Sequence, residues 1–219
     1  VNVTLVPTAL EIVNVVGLPW HASNMESAQP ISVLSEEKLR NRQSANLGDT
    51  LKYEVGVHSS YFGPVASSPI IRGLDGPRVQ ITQNGLDAGD ASRVGPDHAV
   101  TSEASTARQI EILRGPATLF YGSGAIGGVV NIVDDRVPRD TETRGEWRLQ
   151  YDSVASDRLG SFSGSTGIDT SGDTDIGLHI DGFARESNNY RIPTFANVTD
   201  PEDTSRRLAN SSSDAEGVT

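Results

Sequence analysis

Hydrophobic and polar positions fall into two textures along the chain. From residue 31 to about Pro138, short apolar or β-branched runs alternate with turn residues, which predicts strands at 31–34, 55–58, 69–73, 78–82, 110–113 and 129–133. Between them, Ser35-Glu36-Glu37-Lys38-Leu39 has the form of a helix start, with Ser35 as N-cap and acids in the first turn. There they complement the helix dipole. Residues 46–51 predict a second short helix. Asn84-Gly85 is a strong turn signal after the fourth strand. Pro116 is suited to open a short helix over 117–121, and Gly122, Gly124, Gly127 and Gly128 form a loop feeding the last strand. Short strands mixed with short helices predict an α+β domain.

After Pro138 the period changes. Trp147, Leu149 and Tyr151 alternate with Glu146, Arg148 and Gln150, and Ile176, Leu178 and Ile180 alternate with Gly177, His179 and Asp181. Phe162 and Ile168 lie in a Ser/Gly-rich segment of the same phase. Period-2 alternation over segments of about ten residues fits barrel strands with an apolar outer face, and equally an antiparallel sheet with one wet face. The polar tail, 197–219, is expected to be a long loop. Ahead of the α+β domain, residues 1–29 show no sustained period and read as a flexible arm. It carries one β-prone run, Glu11-Ile12-Val13-Asn14-Val15-Val16, that ends at Gly17.

The 219 residues carry a formal net charge of −11, which opposes binding to nucleic acid or to anionic lipid heads. Cysteine is absent, which excludes disulfides and thiolate metal sites. No apolar run approaches the roughly 20 residues of a membrane helix. The chain opens at Val1 without a basic n-region or an apolar h-region, as expected of a mature form or of a piece of a longer protein.

The most specific segment is Gln109-Ile110-Glu111-Ile112-Leu113-Arg114-Gly115-Pro116-Ala117-Thr118-Leu119-Phe120-Tyr121-Gly122-Ser123-Gly124-Ala125-Ile126-Gly127-Gly128-Val129-Val130-Asn131-Ile132. A phosphate-binding loop is the rival for its glycines, but no Lys-Ser/Thr follows them and no Gly-x-Gly-x-x-Gly opens a long helix. The segment resembles the plug signature of TonB-dependent outer-membrane receptors. Ile71-Arg72-Gly73 resembles the upstream element of the same plug. The positions that carry the likeness are Arg72, Gly73, Arg114, Gly115, Pro116, Tyr121, Gly122, Gly127 and Gly128. Ahead of them, Glu11, Ile12, Val13, Asn14, Val15 and Val16 resemble a TonB box. In that family the box pairs as an added strand with the periplasmic energy-coupling protein TonB, drawing affinity from main-chain hydrogen bonds.

The resemblance implies an α+β plug domain followed by the start of an antiparallel transmembrane β-barrel, truncated. Its parts would be a periplasmic arm at 1–29, a plug at 30–138 and the first barrel strands at 139–219. A plugged transporter uses about 22 strands, so residues 139–219, with room for three or four, are not expected to transport alone. The implied location is the outer membrane of a Gram-negative cell, with the plug in the barrel lumen. The implied partners are TonB with its inner-membrane energising complex and an extracellular metal ion or chelate. No enzymatic activity, nucleic acid or permanently bound cofactor is expected.

For the cargo, Gly95-Pro96-Asp97-His98-Ala99 resembles a loop of the zinc-uptake receptors of this superfamily, represented by the neisserial zinc receptor. Residues 46–49, 68–73 and 109–116 are similar to that subfamily too. There an Asp-His pair supplies zinc ligands from the plug, so Asp97 and His98 are the expected metal ligands and zinc the expected transported ion. Carboxylate oxygen and imidazole nitrogen suit zinc, and the rest of a four-ligand set would come from the barrel. An ordinary loop histidine beside a turn-capping aspartate is the alternative reading of the pair. A siderophore or haem receptor is the alternative cargo class. A surface platform of the adhesin or colicin-receptor kind is the alternative role.

Overall fold

The computed structural model describes residues 14–18, 30–63, 66–88, 94–95, 98, 100, 104–138, 141–169, 176–196, 199, 202 and 204–219. Its α+β part is built on five strands: β1 (Ser32–Ser35), β4 (Val79–Gln83), β5 (Leu86–Asp87), β6 (Gln109–Leu113) and β7 (Gly128–Val133). Their order is β1-β6-β7-β4-β5, with β4 parallel to β7 and the other neighbours antiparallel. A separate hairpin pairs β2 (Val57–Ser59) with β3 (Pro69–Ile71). The expected two-residue turn joins β4 to β5. Asn84 and Gly85 both take positive φ, 51° and 83°, as a turn matching strand twist requires.

Every residue of the central strands β6 and β7 is buried, so both faces of this sheet must be covered. Alternation divides the side chains. Ile110, Ile112, Val130 and Ile132 point to one face, where they pack with Leu39, Leu47, Leu51, Val57 and Ile71. That layer is built by α1 (Glu36–Arg42) and α2 (Leu47–Leu51) together with the hairpin. The N-cap of α2 is Asn46, whose side chain accepts from the Asp49 N–H at 2.7 Å. On the opposite face, Leu113 and Val129 pack with Ala117 and Ala125 from the loop between β6 and β7, and with Val15 and Leu18.

Those last two residues correct an expectation. The arm was expected to lie free of the packed domain, but Val15 and Leu18 are 0% and 1% exposed. They supply the apolar cover that the second face of the sheet needs, worth about 1.5–3 kcal/mol per side chain.

The C-terminal part is an antiparallel sheet of β8 (Arg144–Asp152), β9 (Asp157–Ile168), β10 (Ile176–Ser187) and β11 (Ser213–Val218), in that order. Here too an expectation is corrected. The tail expected to be loop throughout contains β11. Ser213-Asp-Ala-Glu-Gly-Val has little hydrophobic alternation of its own, and the edge of β10 imposes the strand by pairing with it from Ser187↔Ser213 to Gly182↔Val218. Among the described residues this sheet does not close, since β8 and β11 are its edges.

Candidate functional site

The inner face of the α+β sheet carries a polar row in an otherwise apolar setting. Cross-strand pairing aligns Glu111 on β6 with Asn131 on β7, and Asn131 with Thr82 on β4. All three are fully buried. Asn131 Oδ1 accepts from the Thr82 hydroxyl at 2.9 Å and from the Gly85 N–H at 2.8 Å, which fixes its amide so that Nδ2 donates to Glu111 Oε2 at 2.9 Å.

The Glu111 carboxylate accepts four N–H bonds in all. Besides Asn131, Gln109 Nε2 donates to Oε1 at 2.7 Å. The other two donors belong to the arm: Val16 N–H reaches Oε1 at 2.6 Å and Gly17 N–H reaches Oε2 at 2.8 Å. Gln109 Nε2 also donates to the Asn14 carbonyl at 3.0 Å, and the Tyr121 hydroxyl donates to the Gly17 carbonyl at 2.6 Å. A buried carboxylate is costly unless its oxygens are satisfied, and half of the donors here come from the arm. The Tyr121 phenol is pushed up to about 12, by burial first and then by the neighbouring Glu111. Gly17 leaves room for this packing: a Cβ there would lie 2.7 Å from Tyr121 Oη and 2.9 Å from Glu111 Oε2, so that one of these side chains would have to shift.

Tyr121 is held in place by the turn after β6. Gly115 has φ +67°, Pro116 follows it, and a 3-10 helix runs over Gly115–Tyr121 before Gly122 at φ +83° ends it. The adjacent Gly127 and Gly128 allow close approach: a Cβ on Gly127 would meet the Arg78 carbonyl at 3.0 Å, and one on Gly128 would meet Ile71 Cδ1 at 2.7 Å. Arg114 is buried and donates through Nη1 to the Ser32 hydroxyl at 3.0 Å. Burial, then the nearby Arg72, lower its pKa below the ordinary guanidinium value. Arg72 and Gly73, at the end of the β3 segment, take φ +50° and +81°.

The C-terminal sheet faces this domain with its polar side. Arg185 on β10 donates to the Ala45 carbonyl at 3.0 Å, and Arg40 on α1 pairs with Glu146 on β8 at 3.1 Å. Between the two parts lies a cleft of about 410 Å³ whose lining includes Arg40, Arg108, Arg144, Arg148, Glu146 and His179. His179 is placed by Ser165 at 2.7 Å on Nδ1 and Asp181 at 2.9 Å on Nε2. The other side of the sheet is apolar and bare: Trp147 and Leu149 are 76% and 77% exposed, and Tyr151, Phe162, Ile176, Leu178 and Ile180 share their face.

The remaining expected positions are placed unevenly. Glu11, Ile12, Val13 and Asp97 lie outside the described residues. His98 is exposed, and its N–H donates to the Gly95 carbonyl at 3.4 Å. Among the described residues no group of three or more His, Cys, Asp or Glu is placed to hold a metal. Gln109, Glu111 and Asn131 lie in the signature segment but were not among the expected site residues. The signal passed over is a carboxylate and two amides at inward positions of strands with no wet face.

Residues 23–129 match the TonB-dependent Receptor Plug Domain family. This segment is a TonB-dependent receptor plug domain. About three quarters of the chain also superposes on solved structures. One is a ferric enterobactin receptor mutant of Pseudomonas aeruginosa, PfeA, in complex with enterobactin (21% identity, 75% of this chain and 26% of that one, TM-score 0.59). Another is the siderophore receptor PirA from Pseudomonas aeruginosa (26% identity, 74% and 29%, TM-score 0.53). A third is the copper transporter OprC (20% identity, 76% and 25%, TM-score 0.59). The chain thus spans about a quarter of the length of these structures. Plug domain and neighbours belong to receptors and transporters and not to enzymes. The polar row that holds residues 14–18 is therefore on the plug, and β8 to β11 form an antiparallel sheet that follows it.

Proposed function

We propose that this chain belongs to an outer-membrane receptor that imports a metal ion or metal chelate, energised through TonB. The supporting observation is the two-sided sheet of β8 to β11, which would be a wall of the barrel. Its polar side meets the plug through Arg185–Ala45 and Arg40–Glu146, while its other side presents a continuous apolar row suited to lipid. Cargo held on the plug would reach the periplasm when TonB, paired to the box at residues 11–16, pulls the arm and rearranges the plug. The arm would lie on the periplasmic side.

For the cargo we propose zinc, with Asp97 and His98 as plug ligands and the wall supplying the others. This rests on the likeness of residues 95–99 to the zinc-uptake receptors and on the suitability of carboxylate and imidazole as zinc ligands. A ferric siderophore is the second reading, favoured by the fold neighbours PfeA and PirA. Calorimetry on the full-length receptor separates them. Zinc binding that weakens as pH falls through the histidine range, and that the pair Asp97→Ala and His98→Ala abolishes, supports zinc. A parent protein that binds a ferric siderophore and no free metal ion overturns it. Uptake by the full-length receptor tests the box: Val13→Pro removes a backbone donor, and unchanged TonB-dependent uptake would overturn the assignment.

A further inference from the structure

We propose that the cleft between the plug and the C-terminal sheet is an oxyanion site, which takes a small solute bearing phosphate or carboxylate charges and clamps it with arginines from both parts. The site goes beyond the reading of the chain as a receptor, which serves only to call the sheet a barrel wall.

The site follows from the register of two strands. β8 carries Arg144, Glu146 and Arg148 at alternate positions, and all three line the cleft on the plug side of the sheet. β9 sets Ser165, Ser163 and Ser161 directly opposite them. Serine is short, so a row of long side chains faces a row of small hydroxyls, and room is left between sheet and plug. That room is the cleft of about 410 Å³. Its volume lies within the range of small-molecule sites, about 300–1,000 Å³. From the plug, Arg40 on α1 and Arg108 just ahead of β6 reach the same space, with Asp135 at 3.2 Å from Arg108.

The lining is rich in donors and short of acceptors. Glu146 is shared between Arg40 at 3.1 Å and Arg148 at 3.6 Å, and Asp135 answers Arg108. Arg144 pairs with Glu142, which lies outside the lining. Four guanidinium groups therefore face two carboxylates, a local surplus of two positive charges in a chain whose net charge is −11. A concave surface with one sign of charge in excess concentrates the opposite ion. Guanidinium forks match the paired oxygens of carboxylate and phosphate, and the hydroxyls of Ser161 and Ser163 add neutral donors. Nη1 of Arg148 is buried with no hydrogen-bond partner among the described residues, an acceptor shortage of the kind an oxyanion relieves. A bare divalent cation is opposed by the same surplus. Because Arg40 and Arg108 belong to the plug and Arg144 and Arg148 to the sheet, a bound anion ties the two together. It does so at the end where the chain passes between them, from Asp135 to Arg144.

The test uses the full-length receptor in a non-ionic detergent at low chloride, with inorganic phosphate and citrate as probes and equilibrium dialysis as the measurement. Arg108→Gln and Arg144→Gln each remove one guanidinium, from the plug and from the sheet. Both side chains are about half exposed, 47% and 46%, so neither is part of a core. Arg158→Gln is the control, since Arg158 is exposed, lies opposite Tyr151 and shares its outward face. Saturable binding of at least one probe to the parent is expected, weakened about tenfold or more in each of the first two variants and unchanged in the control. No saturable binding of either probe overturns the site. An equal loss in Arg158→Gln also overturns it, because general charge attraction would produce that result. Weakening by Arg144→Gln alone overturns the clamp from both parts. Metal uptake by the parent is measured separately. Uptake without anion binding overturns the site and leaves the receptor reading standing, whereas anion binding in a protein that imports no metal leaves the site and overturns that reading.

Discussion

Arg185, on β10, reaches across to the plug and donates to the carbonyl of Ala45 at 3.0 Å. Arg185 is 4% exposed and lies 3.6 Å from Asp157 on β9, so one side chain ties the C-terminal sheet to the plug and faces a buried carboxylate. The contact joins residues 140 apart in sequence, and it positions the loop ahead of α2.

Arg185→Ala is expected to loosen the seating of the plug and to leave Asp157 facing the interface without its cation. Loss of a charged hydrogen bond in such a setting costs about 1.5–3 kcal/mol. Thermal unfolding of the full-length receptor should show the plug melting earlier, with Arg185→Lys recovering part of the loss. A melting profile identical to the parent would mean that the plug is held by other contacts.

Leu149→Arg tests the proposal that the apolar side of the C-terminal sheet meets lipid. Leu149 is 77% exposed and shares its face with Trp147 and Tyr151. An arginine at the midplane of an outer-membrane barrel costs about 2–4 kcal/mol, falling toward the interfaces. The variant should assemble poorly into the outer membrane and unfold at lower denaturant when reconstituted. Arginine at the inward-facing Gln150 should be tolerated far better. Equal effects at both positions would contradict the two-sided wall.

Much of this architecture is legible in the sequence, and what is not has a physical cause. The Asn84-Gly85 turn, the Gly115-Pro116 break and the alternation from Trp147 to Tyr151 are local signals, and the structure contains all three. The strand β11 has no local signal, because its pairing is supplied by β10. The docking of Val15 and Leu18 is hidden for the same reason: a short apolar arm looks alike whether it is free or held. What holds it is Glu111, 94 positions away from Gly17. The Glu111–Asn131–Thr82 row joins three strands, and only the register makes it a unit.

Glu54 gives the plug a pH dependence on the acid side. Burial alone would raise its pKa, but hydrogen bonds and charge from Lys38 at 3.0 Å and Arg42 at 2.5 Å outweigh burial and lower it. A carboxyl whose pKa is depressed on folding stabilises the fold above its unfolded value, near 4.3. That contribution is lost as pH falls through the lower folded value. Glu54→Gln should therefore destabilise the plug at neutral pH, by an amount that shrinks as the medium is acidified below about pH 4. Urea unfolding at a series of pH values measures it, and a parent–variant difference that stays constant into strong acid would rule the ion pairs out as its source.

Tyr121 reports on the arm from the alkaline side. Its pKa is pushed up to about 12 by burial and by Glu111. A phenol raised on folding stabilises the fold below its unfolded value, near 10. That contribution is lost as pH rises through the folded value. In a spectrophotometric titration of the receptor, one phenol should ionise well after the exposed tyrosines, and Tyr121→Phe should remove that late step. The burial in question is partly made by the arm, since the hydroxyl donates to the Gly17 carbonyl and Tyr121 packs against the cluster to which Val15 and Leu18 belong. Gly17→Ala, which keeps the phenol but pushes the arm away, should therefore move the late step back toward 10. A late step unmoved by Gly17→Ala would show that the plug alone buries Tyr121, and that the arm contributes nothing to its environment.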